Sequence, residues 1–244
     1  MESAERSLGE ARMPMSGLLV VDKPLGWSSM AVVRKVRYMA GGVKTGHAGT
    51  LDPLATGVLL CCLGKATRVV PRLMGMTKVY EAEVDLSAFT ATDDREGQRE
   101  EVRVAAPVGE AKLREALGRF VGEITQKPPA FSAIKIGGRR AYKLARLGQK
   151  VEMVGRTVRV DAIELLGYAW PVARLRITCG KGTYIRSLAR DLGVALGAGG
   201  HLASLRRTRI GGYDLSLAVD ERRLQQPLTQ ADLLPVPAEG QDNF

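Results

Sequence analysis

The amino-acid sequence predicts an α+β fold with a mixed, largely antiparallel sheet flanked by helices. Residues 79–86 alternate between apolar and polar side chains, which is typical of a half-buried strand. Other strand and helix patterns follow one another without the regular β-α-β rhythm of a parallel sheet. The 244 residues, 45% of them hydrophobic, suffice for one core. We therefore expect a single domain at 17–230, between a loose N-terminal tail at 1–16 and a C-terminal tail at 231–244.

The individual elements can be predicted in chain order. Residues 17–22 indicate a short buried strand, and after a turn at 23–26 either Ser28 or Ser29 is placed to cap a helix. The apolar run 58–63 fits a buried strand or a helical turn, and its periodicity does not decide between them. An acidic loop is expected at 90–101, and strands are expected at 156–168 and 174–178. Helices are expected at 110–120, at 139–147 and at 184–196. Gly148 ends the second of these helices, and the glycine-rich residues 197–200 end the third.

Positive charge is concentrated in three blocks of the sequence. Residues 34–78 carry 8 basic side chains and 1 acidic one, residues 126–159 carry 9 and 1, and residues 174–211 carry 8 and 1. The whole chain has a formal net charge of +10, which favours an anionic partner. If the blocks share one face, they form a phosphate-binding cleft. The alternative is a set of solvated helix faces.

Composition and spacing disfavour several kinds of site. The Gly-Lys pairs at 64–65 and 180–181 lack the spacing of a nucleotide-binding P-loop. Three cysteines give no disulfide framework, so we expect buried thiols in a cytoplasmic protein. With 2 histidines and no Cys-x-x-Cys pair, the sequence predicts no metal site. Residues 1–16 lack the apolar run of a secretory signal or a membrane span.

A single carboxylate, Asp52, interrupts the first basic block. It lies in the glycine-rich segment 46–58 and is the only acidic residue between Arg34 and Lys78. Nearby cations favour the charged form of a carboxyl group, so we expect Asp52 to be ionised near neutral pH. Asp52 is therefore a candidate nucleophile or base, and not a proton donor.

Five ordered motifs resemble those of one enzyme family. The segment 46–59, GHAGTLDPLATGVL, is similar to the catalytic signature of the TruB family of bacterial tRNA pseudouridine-55 synthases. The other four motifs, in the same order, are DKPLGWSS at 22–29, KVY at 78–80, PPAFSAIK at 128–135 and CGKGTYIR at 179–186. The resemblance extends over residues 17–220. It implies the pseudouridine synthase fold, with a central RNA-binding cleft.

The resemblance implies isomerisation of uridine to pseudouridine at position 55, in the T loop of tRNA. Asp52 corresponds to the nucleophile, which attacks C6 of the base or C1′ of the sugar before the base is turned and rejoined through C5. One nucleotide is rearranged, so no cofactor is implied. Because the target base is stacked in the loop, the enzyme must flip it out. The implied partner is the T stem-loop of tRNA, and we expect a monomer without a membrane or an obligate protein partner.

Three further catalytic positions follow from the same resemblance. Tyr80 corresponds to the tyrosine that stacks on the extruded base, and Tyr184 and Arg186 correspond to the pair that contacts the base and keeps the aspartate ionised. A planar guanidinium offers a bidentate partner for a carboxylate. The alternative interpretations are a core residue for Tyr80 and a surface charge on a helix for Arg186.

Four more positions carry expectations about substrate binding. His47 corresponds to a histidine that inserts among the loop bases, or it is a hydrogen-bonded loop imidazole. Leu205 corresponds to an apolar residue that lines the pocket, or it belongs to the ordinary core. Asp94 falls at an acidic position associated with RNA contact, or it is a solvated loop residue. Lys23 supports the backbone of the active site or binds phosphate.

The sequence also departs from the family pattern and leaves two other functions open. The chain stops soon after the match, so we expect no C-terminal PUA module, and residues 87–91 differ from the family pattern near Asp94. A hydrolase of N-glycosidic bonds would need a second acid, which the sequence does not offer near Asp52. A non-catalytic RNA-binding or folding module would use the basic blocks and the tyrosines.

Overall fold

A mixed sheet forms the centre of the fold in the computed structural model, which describes residues 15–238 except 133, 137, 148, 150 and 151. Residues 1–14 and 239–244 of the two predicted tails therefore lie outside the described residues. Nine strands of the described chain make up this sheet, and two separate hairpins supply four more. The sheet strands are β1 (Gly17–Lys23), β2 (Thr45–His47), β3 (Ala55–Leu63), β4 (Lys78–Asp85), β7 (Gly122–Gln126), β10 (Arg156–Ala169), β11 (Val172–Cys179), β12 (His201–Ile210) and β13 (Tyr213–Asp214), and the hairpin strands are β5 (Ala88–Thr90), β6 (Arg99–Glu101), β8 (Lys135–Ile136) and β9 (Arg139–Arg140).

The strand order confirms the predicted fold class. Along the sheet the order is β1-β3-β12-β4-β11-β10-β7, with β2 paired to β3 and β13 paired to β12. Among the pairs of described strands, only β3 and β12 run parallel. This pair comprises the second and third strands of the order, so the segment that leads into β3 enters the interior of the sheet and not its edge.

Four of the five described helices contribute apolar side chains to the buried clusters that cover the sheet. Residue Ser28 caps the first of them, because its Oγ accepts a hydrogen bond of 3.1 Å from the Ala31 amide. The last helix ends at Gly197, whose φ of 66° is favourable for glycine. The described helices are α1 (Ser29–Met39), α2 (Val70–Gly75), α3 (Glu110–Gly118), α4 (Ala141–Arg146) and α5 (Ile185–Leu196).

Three buried clusters make up the core. The largest joins α3 and α5 to strands β4, β11 and β12. A second holds α1 against β1 and β3, and a third covers the opposite side of the same two strands. Leu51 and Leu54 belong to the first cluster, and Ala48 belongs to the third. The segment around Asp52 is therefore anchored on both sides by apolar burial.

The structure decides one open element prediction and corrects others. The run at 58–63, left open between a strand and a helical turn, is part of strand β3, which already begins at Ala55. The predicted helix at 139–147 is divided into strand β9 and the short helix α4, and its expected terminator Gly148 lies outside the described residues. The acidic loop at 90–101 includes the end of β5 and all of β6. Strand β12 was not predicted.

The described part of the predicted C-terminal tail, residues 231–238, packs on the first strand. The backbones of Leu18 and Leu234 exchange two hydrogen bonds, of 2.9 and 2.8 Å. Leu233 is buried in the cluster that contains α1. Among the described helices, none is both long enough and apolar enough to cross a membrane.

Candidate active site

The loop that carries Asp52 is held by the chain that precedes it. The hydroxyl of Ser29 accepts a hydrogen bond of 2.8 Å from the Leu51 amide and donates one of 2.9 Å to the Leu51 carbonyl. The Gly26 amide donates to the Pro53 carbonyl at 2.9 Å. Because Leu51 and Leu54 are buried, the intervening Asp52 side chain projects outward and is 40% exposed. A ligand can therefore reach this carboxylate.

Arg186, in the first turn of α5, links Asp52 to a second carboxylate. Its Nη2 lies 2.9 Å from Oδ2 of Asp52, and its Nη1 lies 3.4 Å from Oδ2 of Asp94. The guanidinium also donates to the carbonyls of Thr92 and Phe131, at 3.0 and 3.1 Å. The side chain is only 7% exposed. The surface-charge interpretation of Arg186 is therefore wrong, and the expected bidentate pair with Asp52 is replaced by a bridge between two acids.

Burial is the largest influence on the pKa of Asp52. Removal from water raises this pKa, because a carboxylate loses its hydration. The Arg186 guanidinium and the Lys23 ammonium lower it, whereas the charge of Asp94 raises it further. The net direction is upward. The charge-based expectation was therefore incomplete, since the surrounding cations reduce the effect of burial on the pKa but do not reverse it.

Asp94 is a buried residue, and the solvated-loop interpretation is wrong. It is 3% exposed. Its Oδ1 accepts hydrogen bonds from the Thr92 hydroxyl at 2.6 Å and from the Glu96 amide at 3.1 Å. The neighbouring Asp93, with a φ of 60°, pairs with Arg190 at 2.7 Å. Both acids therefore face α5, and Asp94 is placed to orient Arg186.

The two tyrosines approach the site from different elements. Tyr80 lies on β4 and is 8% exposed, within the largest core cluster. Tyr184 precedes α5, and its backbone amide and carbonyl pair with the side chain of Gln126 at 2.8 and 3.0 Å. Burial raises the pKa of both phenols, and Asp52 lies near enough to raise them further. Both rings are therefore neutral at pH 7.

His47 and Lys23 flank the loop. The His47 side chain is half-buried, and its Nδ1 is a buried atom without a hydrogen-bond partner among the described residues. Burial and the charge of Arg207 lower the pKa of His47, so its ring is neutral at pH 7. Lys23 is fully buried and donates to the carbonyls of Trp27 and Pro24 at 2.6 and 3.0 Å. Lys23 was expected either to support the backbone of the site or to bind phosphate, and these contacts fit the first role. Burial lowers the pKa of Lys23 to about 8.

Leu205 is half-buried and lines a cleft of about 710 Å³ on the face of the sheet. Leu54, two residues after Asp52, lines the same cleft. The basic residues of the cleft are Arg95 and three members of the third basic block, Arg174, Arg176 and Arg206, and they are accompanied by the acids Glu81 and Glu83. The described residues of this cleft therefore do not bring the three basic blocks together.

Three residues that hold the site were not predicted as site residues from the sequence. Ser29 and Gln126 hold the backbones of Leu51 and Tyr184, as described above. Arg207, on β12, is 1% exposed and donates to two carbonyls on either side of Asp52. Each of these residues acts on the backbone of a distant segment, and no spacing in the sequence reveals such a contact.

The three cysteines are buried free thiols, as the sequence predicts. Burial raises the pKa of Cys62 to about 12 and that of Cys179 to about 11. Among the described residues, no group of three or more His, Cys, Asp or Glu side chains is placed to hold a metal ion.

Comparison with known families identifies the family of this chain. Residues 36–185 match the model of the TruB family pseudouridylate synthase, N-terminal domain. The chain belongs to the TruB family. Residues 186–233 match the C-terminal domain of tRNA pseudouridylate synthase B. The two matches meet between Ile185 and Arg186, so the candidate site draws on both.

Curated members of the TruB family are similar over most of the chain. A tRNA pseudouridine synthase B of Xanthomonas axonopodis pv. citri is 50% identical over 194 residues, which are 80% of this chain and 63% of that protein. One of Mycobacterium sp. (strain KMS) is 46% identical over 91% of this chain and 78% of its own length. The chain thus spans about two thirds to three quarters of these relatives.

Solved structures support the assignment to the TruB family and its relatives. A Cbf5-Nop10-Gar1 complex contains a chain that is 32% identical, with a TM-score of 0.67, over 91% of this chain and 60% of that one. An H/ACA RNP bound to a substrate RNA containing 2′-deoxyuridine contains one that is 31% identical, with a TM-score of 0.64, over 84% and 51%. The sheet described above is therefore the pseudouridine synthase fold.

Proposed function

We propose that this chain isomerises uridine to pseudouridine at position 55 in the T loop of tRNA, with Asp52 as the nucleophile. The observation that carries the proposal is the 2.9 Å pair between Asp52 and Arg186, at the exposed edge of an otherwise buried site. The pair favours the ionised carboxylate, which is the form that attacks carbon. Membership of the TruB family supplies the reaction class.

The proposed reaction rearranges one nucleotide and conserves its atoms. Asp52 attacks C6 of the base or C1′ of the sugar, and the N1–C1′ bond breaks. The base turns, C5 bonds to C1′, and the bond to Asp52 breaks, which regenerates the carboxylate. The proton on C5 leaves and N1 takes up a proton. No electrons are gained or lost overall, so the step needs no redox partner. We propose that residues 17–230 form the catalytic unit.

We propose that the substrate-binding roles divide among the residues around this carboxylate. Tyr80 stacks on the extruded base, and Tyr184 and Arg186 contact it. A neutral His47, with a free buried Nδ1, fills the gap left in the loop. Leu205 lines the pocket at the cleft side. Lys23 supports the loop backbone, and Asp94 orients Arg186 without direct contact to RNA.

The hydrolase alternative is weakened by the environment of the second acid. We expected no acid near Asp52 from the sequence, and this expectation is corrected, because Asp94 contacts the same guanidinium. However, Asp94 is almost fully buried, and its carboxylate is already engaged by the Arg186 guanidinium and the Thr92 hydroxyl. A general acid must instead be free to reach the leaving base.

The function is tested by mapping modified nucleotides in a tRNA transcript incubated with the chain. We expect pseudouridine at position 55, no free uracil, and no product in a transcript with cytidine at that position. Free uracil would favour the hydrolase instead. An unmodified transcript that nevertheless binds would favour the non-catalytic RNA-binding alternative.

A further inference from the structure

Arg207 is a buried charge that the proposed mechanism does not use. It lies on β12, is 1% exposed and is among the largest fully buried side chains. Within the part of the chain that the structure describes, no carboxylate forms an ion pair with it. Burying an unpaired cation is costly unless its N–H groups are satisfied. The position of this guanidinium is therefore set by the groups to which it donates.

The hydrogen bonds of Arg207 reach both ends of the Asp52 loop. Its Nε donates to the Val58 carbonyl at 2.7 Å, and its Nη2 donates to the Gly49 carbonyl at 3.1 Å. Gly49 precedes Asp52 by three residues and Val58 follows it by six. A guanidinium is planar, with donors in fixed directions, so it holds these two carbonyls at a fixed separation.

The same residue connects the loop to Tyr80. In the register of β12 and β4, Arg207 lies directly opposite Tyr80. Burial raises the pKa of the Tyr80 phenol, and the positive charge of Arg207 lowers it. On its other side, β12 approaches β3 closely at Gly57, where a Cβ atom would lie only 2.2 Å from the Arg207 carbonyl oxygen. Gly57 has a φ of 97°. The close approach holds the Arg207 backbone against β3, directly after the segment that carries Asp52.

We propose that Arg207 is a positioning residue that fixes the Asp52 loop and the Tyr80 ring relative to each other before RNA binds. The inference rests on the proposed function and deepens it. A lysine keeps the charge but presents one ammonium group, which cannot reproduce the planar set of donors. The exact spacing of nucleophile and stacking ring should therefore be lost in Arg207→Lys, although the charge remains.

The test measures chemistry and binding separately. A T-arm hairpin with tritium on C5 of the target uridine releases tritium when C5 bonds to the sugar. Single-turnover release and the Kd for the hairpin are compared for the unaltered chain, Arg207→Lys, Arg207→Met and the control Arg209→Lys. Arg209 is an exposed arginine on the same strand. All rates are measured well below the Tm of each variant.

We expect release to slow by about 100-fold or more in both Arg207 variants, because small displacements of reacting groups have effects of this size. The Kd should stay within about threefold, and Arg209→Lys should keep the original rate. Equal rates in Arg207→Lys and the unaltered chain would overturn the inference. So would a parallel loss of rate and affinity, or failure of both variants to fold, which would assign Arg207 to general stability. If the unaltered chain released no tritium, the proposed function itself would be contradicted.

Discussion

Arg186 shows how one side chain can join two parts of a site. It holds Asp52 and Asp94 on different nitrogens and donates to two backbone carbonyls. The negative charge of Asp94 acts on the Asp52 carboxyl group, which contacts the same guanidinium. The pKa of Asp52 is raised by burial and by Asp94, and lowered by Arg186 and Lys23. The pH dependence of the reaction should report this balance.

Asp94→Asn should move the acid limb of the rate profile to lower pH. The nucleophile is the ionised form of Asp52, so a raised pKa makes activity disappear at higher pH than for an ordinary aspartate. Removing the charge of Asp94 removes one cause of the increase. Single-turnover rates of tritium release, measured from about pH 4 to about pH 8, give the pH at which activity falls on the acid side. The exposed neighbour Glu96 gives the control Glu96→Gln, and a shift to higher pH in Asp94→Asn would contradict the account.

The sequence located the reactive groups of the site better than the groups that hold them. Asp52, Tyr80, Tyr184 and Arg186 lie in segments with recognisable motifs. The burial of Asp94 was not visible, because two adjacent acids in a polar segment look like a solvated loop. Its burial depends on pairing with α5, which is distant in sequence. Such partners become evident only when the strands are in place.

Two adjacent serines at the start of α1 have separate tasks, although the sequence left open which of them caps the helix. Ser28 is the cap. Ser29 is turned inward, is 2% exposed and bonds both backbone groups of Leu51. Helix α1 therefore begins at the catalytic loop and fixes it, which connects the stability of an element to the position of the nucleophile.

Substitution of each serine by alanine should separate stability from catalysis. Ser28→Ala removes a cap and should cost about 1 kcal/mol of unfolding free energy without slowing the reaction. Ser29→Ala leaves two buried backbone groups unpaired, should cost about 1–3 kcal/mol and should slow tritium release by roughly tenfold. Urea unfolding and single-turnover rates measure the two effects. Equal rates for the two variants would show that Ser29 does not position the loop.

Strand β12 is an element of the central sheet whose local sequence gives little indication of its structure. Its sequence, HLASLRRTRI, contains three arginines and has no clean alternation. It nevertheless lies inside the sheet, between β3 and β4. There Arg206 pairs with Asp22, Arg207 is buried and Arg209 is exposed. Tertiary pairing overrides local pattern in such a strand. By contrast, β1, β4 and α5 carry regular apolar patterns, and the sequence predicted them near their observed bounds.

At the scale of the whole molecule, charge is more mixed than the three basic blocks suggest. The cleft combines arginines with Glu81 and Glu83, and Arg176 pairs with Glu81 at 3.0 Å. The net charge of +10 still favours association with RNA. Within the cleft, affinity should depend on individual arginines that have no carboxylate partner among the described residues, such as Arg174.

Arg174→Gln should weaken the salt dependence of RNA binding. A phosphate contact releases counterions, so log affinity falls with log salt by about 0.7–0.9 per contact, and loss of one contact should reduce the slope by that amount. The control is Arg114→Gln, on the exposed face of α3, where Arg114 pairs with Glu110. Fluorescence titration of a labelled T-arm hairpin at several salt concentrations measures the slope. The same reduction in both variants would contradict a cleft contact by Arg174.

The central claim is that Asp52, held by Arg186, forms the bond that begins the rearrangement. The most direct test is single-turnover tritium release from the C5-labelled T-arm hairpin by Asp52→Asn, compared with the unaltered chain and with Asp220→Asn, which alters an exposed aspartate. The account predicts no detectable release by Asp52→Asn, with a Kd within about threefold of the original because the fold and the RNA contacts remain. Release by Asp52→Asn at the rate of the unaltered chain would contradict it.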